Sequence, residues 1–206
     1  MKTDRKELSR QSFDKVAATY DQSGTYASLR AKYQSIAEET LRHNFDNCLD
    51  IGCGTGALLS MIARERRNAE LFGLDLSEQM IKVAREKLGK KANLVVGDSE
   101  KLPFDDGKFD LVTCTFSFHH YTNPREAIAE MRRVLAANGK LIVADGWLPA
   151  PVRQFANLLM PLSKDGDVKF HSRQELCGFA QEAGLKVLKW TRFGSHGCLM
   201  VAEKVR

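Results

Sequence analysis

Several things are missing from this 206-residue chain, and each absence removes a class of function. No apolar run approaches the ~20 residues that a membrane span requires, and the first twenty residues, MKTDRKELSRQSFDKVAATY, are too charged for a secretory signal. The cysteines are few and unpaired in pattern: Cys48, Cys53, Cys114, Cys177 and Cys198 form no C-x-x-C spacing, and three of them sit inside apolar runs. They read as reduced thiols of a cytoplasmic protein, with neither disulfides nor a metal site expected. No block of like charge exceeds two or three residues, so the net charge of +5 and the pI near 9.0 describe a solvated surface and do not favour nucleic acid. Repeats and low-complexity segments are also lacking. What remains, 43% hydrophobic and 28% charged, suits one soluble domain over residues 1–206.

Short apolar runs alternate with helical patterns from residue 47 onward, the sign of a parallel sheet covered on both faces. Strands are predicted at 47–52, 70–75, 93–97, 109–116 and 139–145. Two more, 185–192 and 197–203, follow one another with no room for a helix and form an antiparallel hairpin around Gly194. Helices are predicted over 57–67, over 77–89 between Ser77 and Gly89, and over 172–183 ahead of Gly184. The helix over 124–136 carries the fullest signals, with Asn123 as N-cap, Pro124 at N1, a stripe of Ile128, Met131, Val134 and Leu135, and Gly139 past its end. Ahead of the sheet, Phe13, Val16, Ala17 and Tyr20 fall on one helical face, and residues 1–45 read as a helical cap. Three of the five prolines interrupt the apolar stretch 146–170, which reads either as a substrate lid or as an ordinary packed connection.

The loop in LDIGCGTG, residues 49–56, places Gly52, Gly54 and Gly56 directly after an apolar run. Removing side chains at alternate positions allows a sharp strand-to-helix turn and close approach of a ligand. Read as G-x-G-x-x-G/A with Ala57 last and Asp75 downstream, the loop fits a dinucleotide fingerprint. Read as D-x-G-x-G-x-G with Asp50 ahead of it, it resembles motif I of the class I S-adenosylmethionine-dependent methyltransferases. Charge favours the second pattern. A pyrophosphate avoids carboxylates, whereas Asp50, Asp75 and Asp98 at three consecutive strand ends suit a sulfonium and an ammonium.

The resemblance extends in order through GLDLSEQM at Asp75, GDSEKLPF at Gly97, FDLVTCTFSFHH at Phe109 and RVLAANGKLIV at Arg133. FDKVAATYDQ, residues 13–22, is similar to the N-terminal F-D-x-x-A-x-x-Y-D of the ubiquinone and menaquinone C-methyltransferase branch. The family implies a Rossmann-like α/β fold with strand order 3-2-1-4-5-7-6, the seventh strand antiparallel. It implies ribose binding by Asp75, adenine contact by Asp98 and Ser99, and closure over the cofactor by Tyr20 and Asp21. The other implied contacts are Asp50, Gly52, Cys53, Gly54, Thr55, Gly56, Leu76, Gly97 and Thr115. S-adenosylmethionine would be the cofactor and S-adenosylhomocysteine the product.

Methyl transfer from a sulfonium is an in-line displacement that depends chiefly on positioning and on exclusion of water. A general base serves only an acceptor that must lose a proton, and His119, His120 and Tyr121 at the mouth of the fourth strand are the candidates. As a metal pair the two histidines lack an evident third ligand. Residues 115–118, Thr-Phe-Ser-Phe, lack the N/D-P-P-Y/F stretch of base-amine methyltransferases, which points to a small-molecule acceptor. Trp147, Leu148, Phe155, Leu158, Leu159 and Met160 would make that acceptor hydrophobic if they line a lid, and would otherwise be core. An NAD(P)-dependent oxidoreductase and a non-catalytic S-adenosylmethionine-binding protein are the competing readings.

Overall fold

In the first predicted strand, Leu49 and Ile51 pack on one layer of helices and Cys48 on the other; Val112 and Cys114 oppose Leu111 in the same way, and Leu141 and Val143 oppose Ile142. Both faces of the sheet are therefore buried, the condition under which strands read as unbroken apolar runs. The computed structural model describes residues 4–205, and the side chains of all of these except 25–28 and 30. The expected helical cap thus begins, at residues 1–3, outside the described residues.

In chain order the elements are α1 Arg5–Val16, a 3-10 turn Ala17–Gln22, α2 Gly24–Leu41, β1 Asn47–Ile51, α3 Ala57–Glu65, β2 Glu70–Asp75, α4 Glu78–Leu88 and β3 Asn93–Val96. They continue with β4 Phe109–Thr115, α5 Pro124–Val134, β5 Leu135–Gly146, α6 Ala150–Leu159, α7 Arg173–Glu182, β6 Leu185–Phe193 and β7 Gly197–Lys204. The seven strands are ordered β3-β2-β1-β4-β5-β7-β6, with β7 antiparallel to both neighbours. β1 pairs with β2 on one side and β4 on the other, so the chain order reverses between β1 and β4. In such sheets ligands bind in the crevice outside the strand ends at that switch point.

One helix layer contributes Ile128 and Met131 from α5 and Leu176 and Phe179 from α7; the other contributes Ile36 from α2, Leu58, Leu59 and Ile62 from α3, and Ile81 from α4. Burying each large aliphatic side chain is worth roughly 1.5–3 kcal/mol, so these rows fix which face each helix presents. Local signals set several boundaries. The Ser77 hydroxyl accepts from Met80 N, starting α4, and Ser172 with Glu175 forms a reciprocal capping box at α7.

Three expectations are corrected. The helix expected over 124–136 stops at Val134, and β5 begins at Leu135, because the pairing Phe109 with Leu135 draws the chain back into the sheet. A bulge follows, in which Asn138 takes the left-handed conformation at φ 64°. Asn123 makes no side-chain cap for α5; its amide donates instead to Glu100 at 3.0 Å. The expected face of Phe13, Val16, Ala17 and Tyr20 is broken, since the chain tightens from α-helix to a 3-10 turn at Ala17 and leaves Val16 exposed.

Candidate active site

Gly52 N and Cys53 N both donate to Leu74 O, at 2.7 and 3.0 Å, so the turn leaving β1 is tied to the end of β2. Gly54 comes next, with φ +53° and no atom within 4 Å of where a Cβ would stand. Its bare backbone faces open space, and its N–H donates to Asp75 Oδ2 at 2.8 Å. Gly52 is bare for another reason: a Cβ there would stand 2.5 Å from Ser117 Cβ, so the end of β4 is what approaches it. Close approach of protein atoms, not only of a ligand, thus explains part of the glycine pattern.

Around this turn lies a cleft of about 880 Å³ counted to its open mouth. Of the residues singled out in the sequence, Gly52, Cys53, Gly54, Thr55, Asp75, Leu76, Gly97, Asp98, Ser99, Thr115, His120 and Tyr121 line it. Asp50, Gly56 and His119 do not. Asp50 points into the sheet, where the Thr113 hydroxyl donates to it at 2.7 Å, and burial pushes its carboxyl up to about 7. The expected ring of three carboxylates is therefore two at the cleft, because the alternation along β1 turns the third inward. Burial also raises the Asp75 carboxyl, against hydrogen bonds from Ser77 N and Gly54 N. The Thr115 hydroxyl oxygen is buried and has no partner in the protein.

Past β4 the backbone is strained. Phe116 sits at φ 51°, a region that non-glycine residues enter at a cost of order 1–3 kcal/mol. Its N–H is held by Ala144 O at 2.8 Å and its ring packs edge-on against Tyr33, 5.5 Å between centroids. The strain directs Phe116 and Ser117 into the cleft wall.

The N-terminal helices form the opposite wall through Asp14 and Asp21 of the stretch at 13–22 and through Lys6, which no motif singled out. Lys6 Nζ pairs with Asp98 Oδ2 at 2.7 Å and Glu100 Oε2 at 2.8 Å. Asp14 Oδ1 accepts from the Ser77 hydroxyl at 2.6 Å. Asp21 accepts from the Thr55 hydroxyl at 2.7 Å and pairs with Lys87 at 2.5 Å. Each of the first three strand ends thereby receives one polar tether from the cap. Of the two residues expected to close over the cofactor, Tyr20 lines the cleft and Asp21 does not, its carboxylate tying the cap to the glycine loop through Thr55.

Residues 49–143 match a family described as the methyltransferase domain. The ubiquinone/menaquinone biosynthesis C-methyltransferase of Paraburkholderia xenovorans is 35% identical over 84% of this chain and 71% of its own length. The chain belongs to the S-adenosylmethionine-dependent methyltransferases. The demethylmenaquinone methyltransferase of Thermotoga maritima is 33% identical over 69% of this chain and 63% of its own length, so the match spans a little under two thirds of that relative. An S-adenosylmethionine-dependent methyltransferase from Aquifex aeolicus superposes with a TM-score of 0.67 over 85% of this chain and 98% of that one, at 19% identity.

A second polar cluster lies beside the cleft. His119 Nδ1 hydrogen-bonds Asp145 Oδ1 at 2.6 Å, and its Nε2 faces Asp167 Oδ1 at 3.6 Å. Burial works against charging the His119 ring, but the charge and hydrogen bond of Asp145 with the charge of Asp167 outweigh it and raise its pKa. His120 is pushed down by burial and then by His119. The neighbouring rings converge, 4.1 Å apart, on Asp167, which sequence spacing could not associate with them. The Tyr121 hydroxyl is engaged with Ser117 Oγ at 3.1 Å, and burial raises it well above its usual range.

Neither reading of residues 146–170 describes them fully. Among the described residues, none from this segment lines the cleft. Met160 is buried and Trp147 packs against Trp190, whereas Phe155 and Leu158 are 65% and 73% exposed. No helix among the described residues is long and apolar enough to cross a membrane.

Proposed function

We propose that this methyltransferase transfers a methyl group from S-adenosylmethionine directly to a small apolar acceptor held beneath the N-terminal cap. The observation that carries the reading is the pairing of bare backbone at Gly54 with Asp75 and Asp98 on one cleft. A glycine loop rimmed by carboxylates suits a ligand with a hydroxylated sugar and positive charge, and disfavours a pyrophosphate. The open space at Gly54 and the unpartnered Thr115 hydroxyl supply a cradle and a free polar atom for it. When bound, S-adenosylmethionine supplies the methyl group on a sulfonium, which needs no protein nucleophile.

The residues divide the remaining work. Asp75 holds the ribose and the loop backbone together, Gly97, Asp98 and Ser99 border the adenine, and Gly52 to Thr55 with Leu76 and Thr115 complete the cofactor wall. Asp50 acts from behind, fixing β1 against β4. Phe13, Tyr20, Phe116 and Tyr121 bring aromatic surface to the cleft, which supports a hydrophobic or aromatic acceptor and exclusion of water. Residues 4–41 and the core form one working unit. The displacement itself needs no base; an acceptor that must lose a proton needs one, and of the candidates His119 and Tyr121 are committed to protein partners while His120 lines the cleft. Five cysteines without a disulfide suit the reducing cytoplasm.

Ligand-induced stabilisation tests this reading. S-adenosylhomocysteine at 100 times its Kd is expected to stabilise the folded chain by ~2.7 kcal/mol, a rise of several degrees in Tm, while NAD gives none. A rise with NAD alone would overturn it. Methyl transfer to a panel of aromatic acceptors, followed with labelled donor, separates catalysis from binding alone.

A further inference from the structure

We propose that His119, His120 and Asp167 form a binding site for one divalent transition-metal cation, with Zn²⁺ the ion best suited to the donors. This goes beyond methyl transfer and does not rest on it. One donor atom from each of the three residues falls within 4.8 Å of the others. His119 Nε2 lies 3.6 Å and His120 Nδ1 lies 3.5 Å from the same oxygen, Asp167 Oδ1. These separations are long for hydrogen bonds, whose N···O distances cluster near ~2.9–3.0 Å. They match the edge of a tetrahedron about zinc, roughly 3.4 Å when the metal–ligand bonds are about 2.1 Å.

Two independent features point to a missing partner of this kind. His120 Nδ1 is buried and hydrogen-bonds nothing in the protein, whereas buried polar atoms are ordinarily partnered. His119, meanwhile, is arranged as metal-binding histidines are. Its Nδ1 engages the buried Asp145 at 2.6 Å, which leaves Nε2 and its lone pair directed at Asp167. Asp145 is itself positioned by Gly146 N at 2.7 Å. The third donor is held in place too, because Val168 N and Lys169 N both donate to His119 O, at 2.9 and 3.1 Å. The backbone next to Asp167 is thus fastened to the very residue whose ring faces it, so little ordering remains when a cation enters.

Three protein donors leave the fourth tetrahedral position open. His120 is also a cleft residue, so the cation stands at the wall of the acceptor space and links residues 160–170 to the mouth of β4. The arrangement that competes with it is a protonated His119 held between two carboxylates with no metal.

The test uses the full chain, free of any affinity tag and stripped with a chelator, titrated with ZnCl₂ in a calorimeter. One equivalent is expected to bind in the micromolar range or tighter. Asp167→Asn should weaken it roughly 100-fold or more and Asp145→Asn about 10–100-fold, while Asp167→Asn keeps the wild-type thermal response to S-adenosylhomocysteine. Independently of any variant, Co²⁺ added to the wild type should broaden the ring resonances of His119 and His120 before those of other histidines. Absence of saturable binding, equal affinity in Asp167→Asn, or broadening confined to His43, His171 or His196 would each reject the site.

Discussion

Gly54 N donates to Asp75 Oδ2 across 2.8 Å, so the acid that ends β2 holds the turn that leaves β1. The other oxygen of the same carboxylate accepts from Ser77 N at 2.9 Å, at the start of α4. One half-buried side chain therefore shapes the loop, orients a helix and faces the cleft.

That triple role gives Asp75 a particular mutational signature. Asp75→Ala strips partners from two backbone N–H groups and is expected to cost about 1–3 kcal/mol of stability as well as the response to S-adenosylhomocysteine. Asp75→Asn keeps an acceptor oxygen and should fold nearly as well, yet bind the ligand at least about 10-fold more weakly, given the loss of a charge-assisted contact. Calorimetric affinity and Tm measured on both variants check this; full affinity in Asp75→Asn would remove Asp75 from the ribose site.

Thr115 should behave in the opposite sense. Its buried hydroxyl oxygen is unpartnered in the protein, so Thr115→Val is expected to leave the free protein as stable or up to ~1 kcal/mol more stable. If the hydroxyl serves the ligand, the affinity for S-adenosylhomocysteine falls several-fold in the same variant. A variant that is destabilised with unchanged affinity contradicts both halves.

Asp50 predicts a dependence on pH. Its carboxyl is raised to about 7 in the folded protein, above its ordinary value near 3.8. Below that ordinary value both states are protonated and the group contributes nothing. As pH rises towards 7 the unfolded chain releases the proton while the folded chain retains it, so folding becomes progressively less favourable. Asp50→Asn, which still offers an oxygen to Thr113, should therefore gain stability over the wild type at pH 8, on the order of 2–4 kcal/mol, and little at pH 4. Denaturant unfolding at the two pH values decides it; a gain of the same size at both rejects the buried-carboxyl account.

The cap offers a fourth test. Asp14→Ala removes the acceptor of the Ser77 hydroxyl and the ion pair with Arg10, both outside the sheet. The core should stay folded, with a Tm within a few degrees of wild type, while dissociation of S-adenosylhomocysteine quickens several-fold because the cap holds the cleft less firmly. Stopped-flow dissociation rates are the measurement, and an unchanged rate would remove the cap from ligand retention.

The particular residues show why some features were legible in the chain and others were not. The runs around Leu49, Leu111 and Ile142 announced a sheet buried on both faces, and the missing helix between β6 and β7 announced the antiparallel hairpin. Ser77 marked a helix start because a cap needs only neighbours in sequence, and in the structure Ser172 starts the helix expected from 172 in the same local way. Asn123 carried the same signal and failed, since Glu100 from a distant loop captured its side chain. Leu135 continued the helical stripe that ends at Val134, and the pull of β4 drew it into strand.

The glycine loop and the acids at successive strand ends were fixed by sequence alone, because a turn's conformation and a motif's order are local properties. Tertiary structure decided which of those groups reach the cleft: the alternation of β1 turned Asp50 inward, and the close approach of Ser117 leaves no room for a side chain at Gly52. It also joined Lys6 to Asp98, Asp14 to Ser77, and Asp167 to two histidines more than forty residues earlier. Those pairings depend on how helices and loops from separate parts of the chain lie against one sheet edge, and short-range electrostatics acts on distance in space, not on distance along the chain.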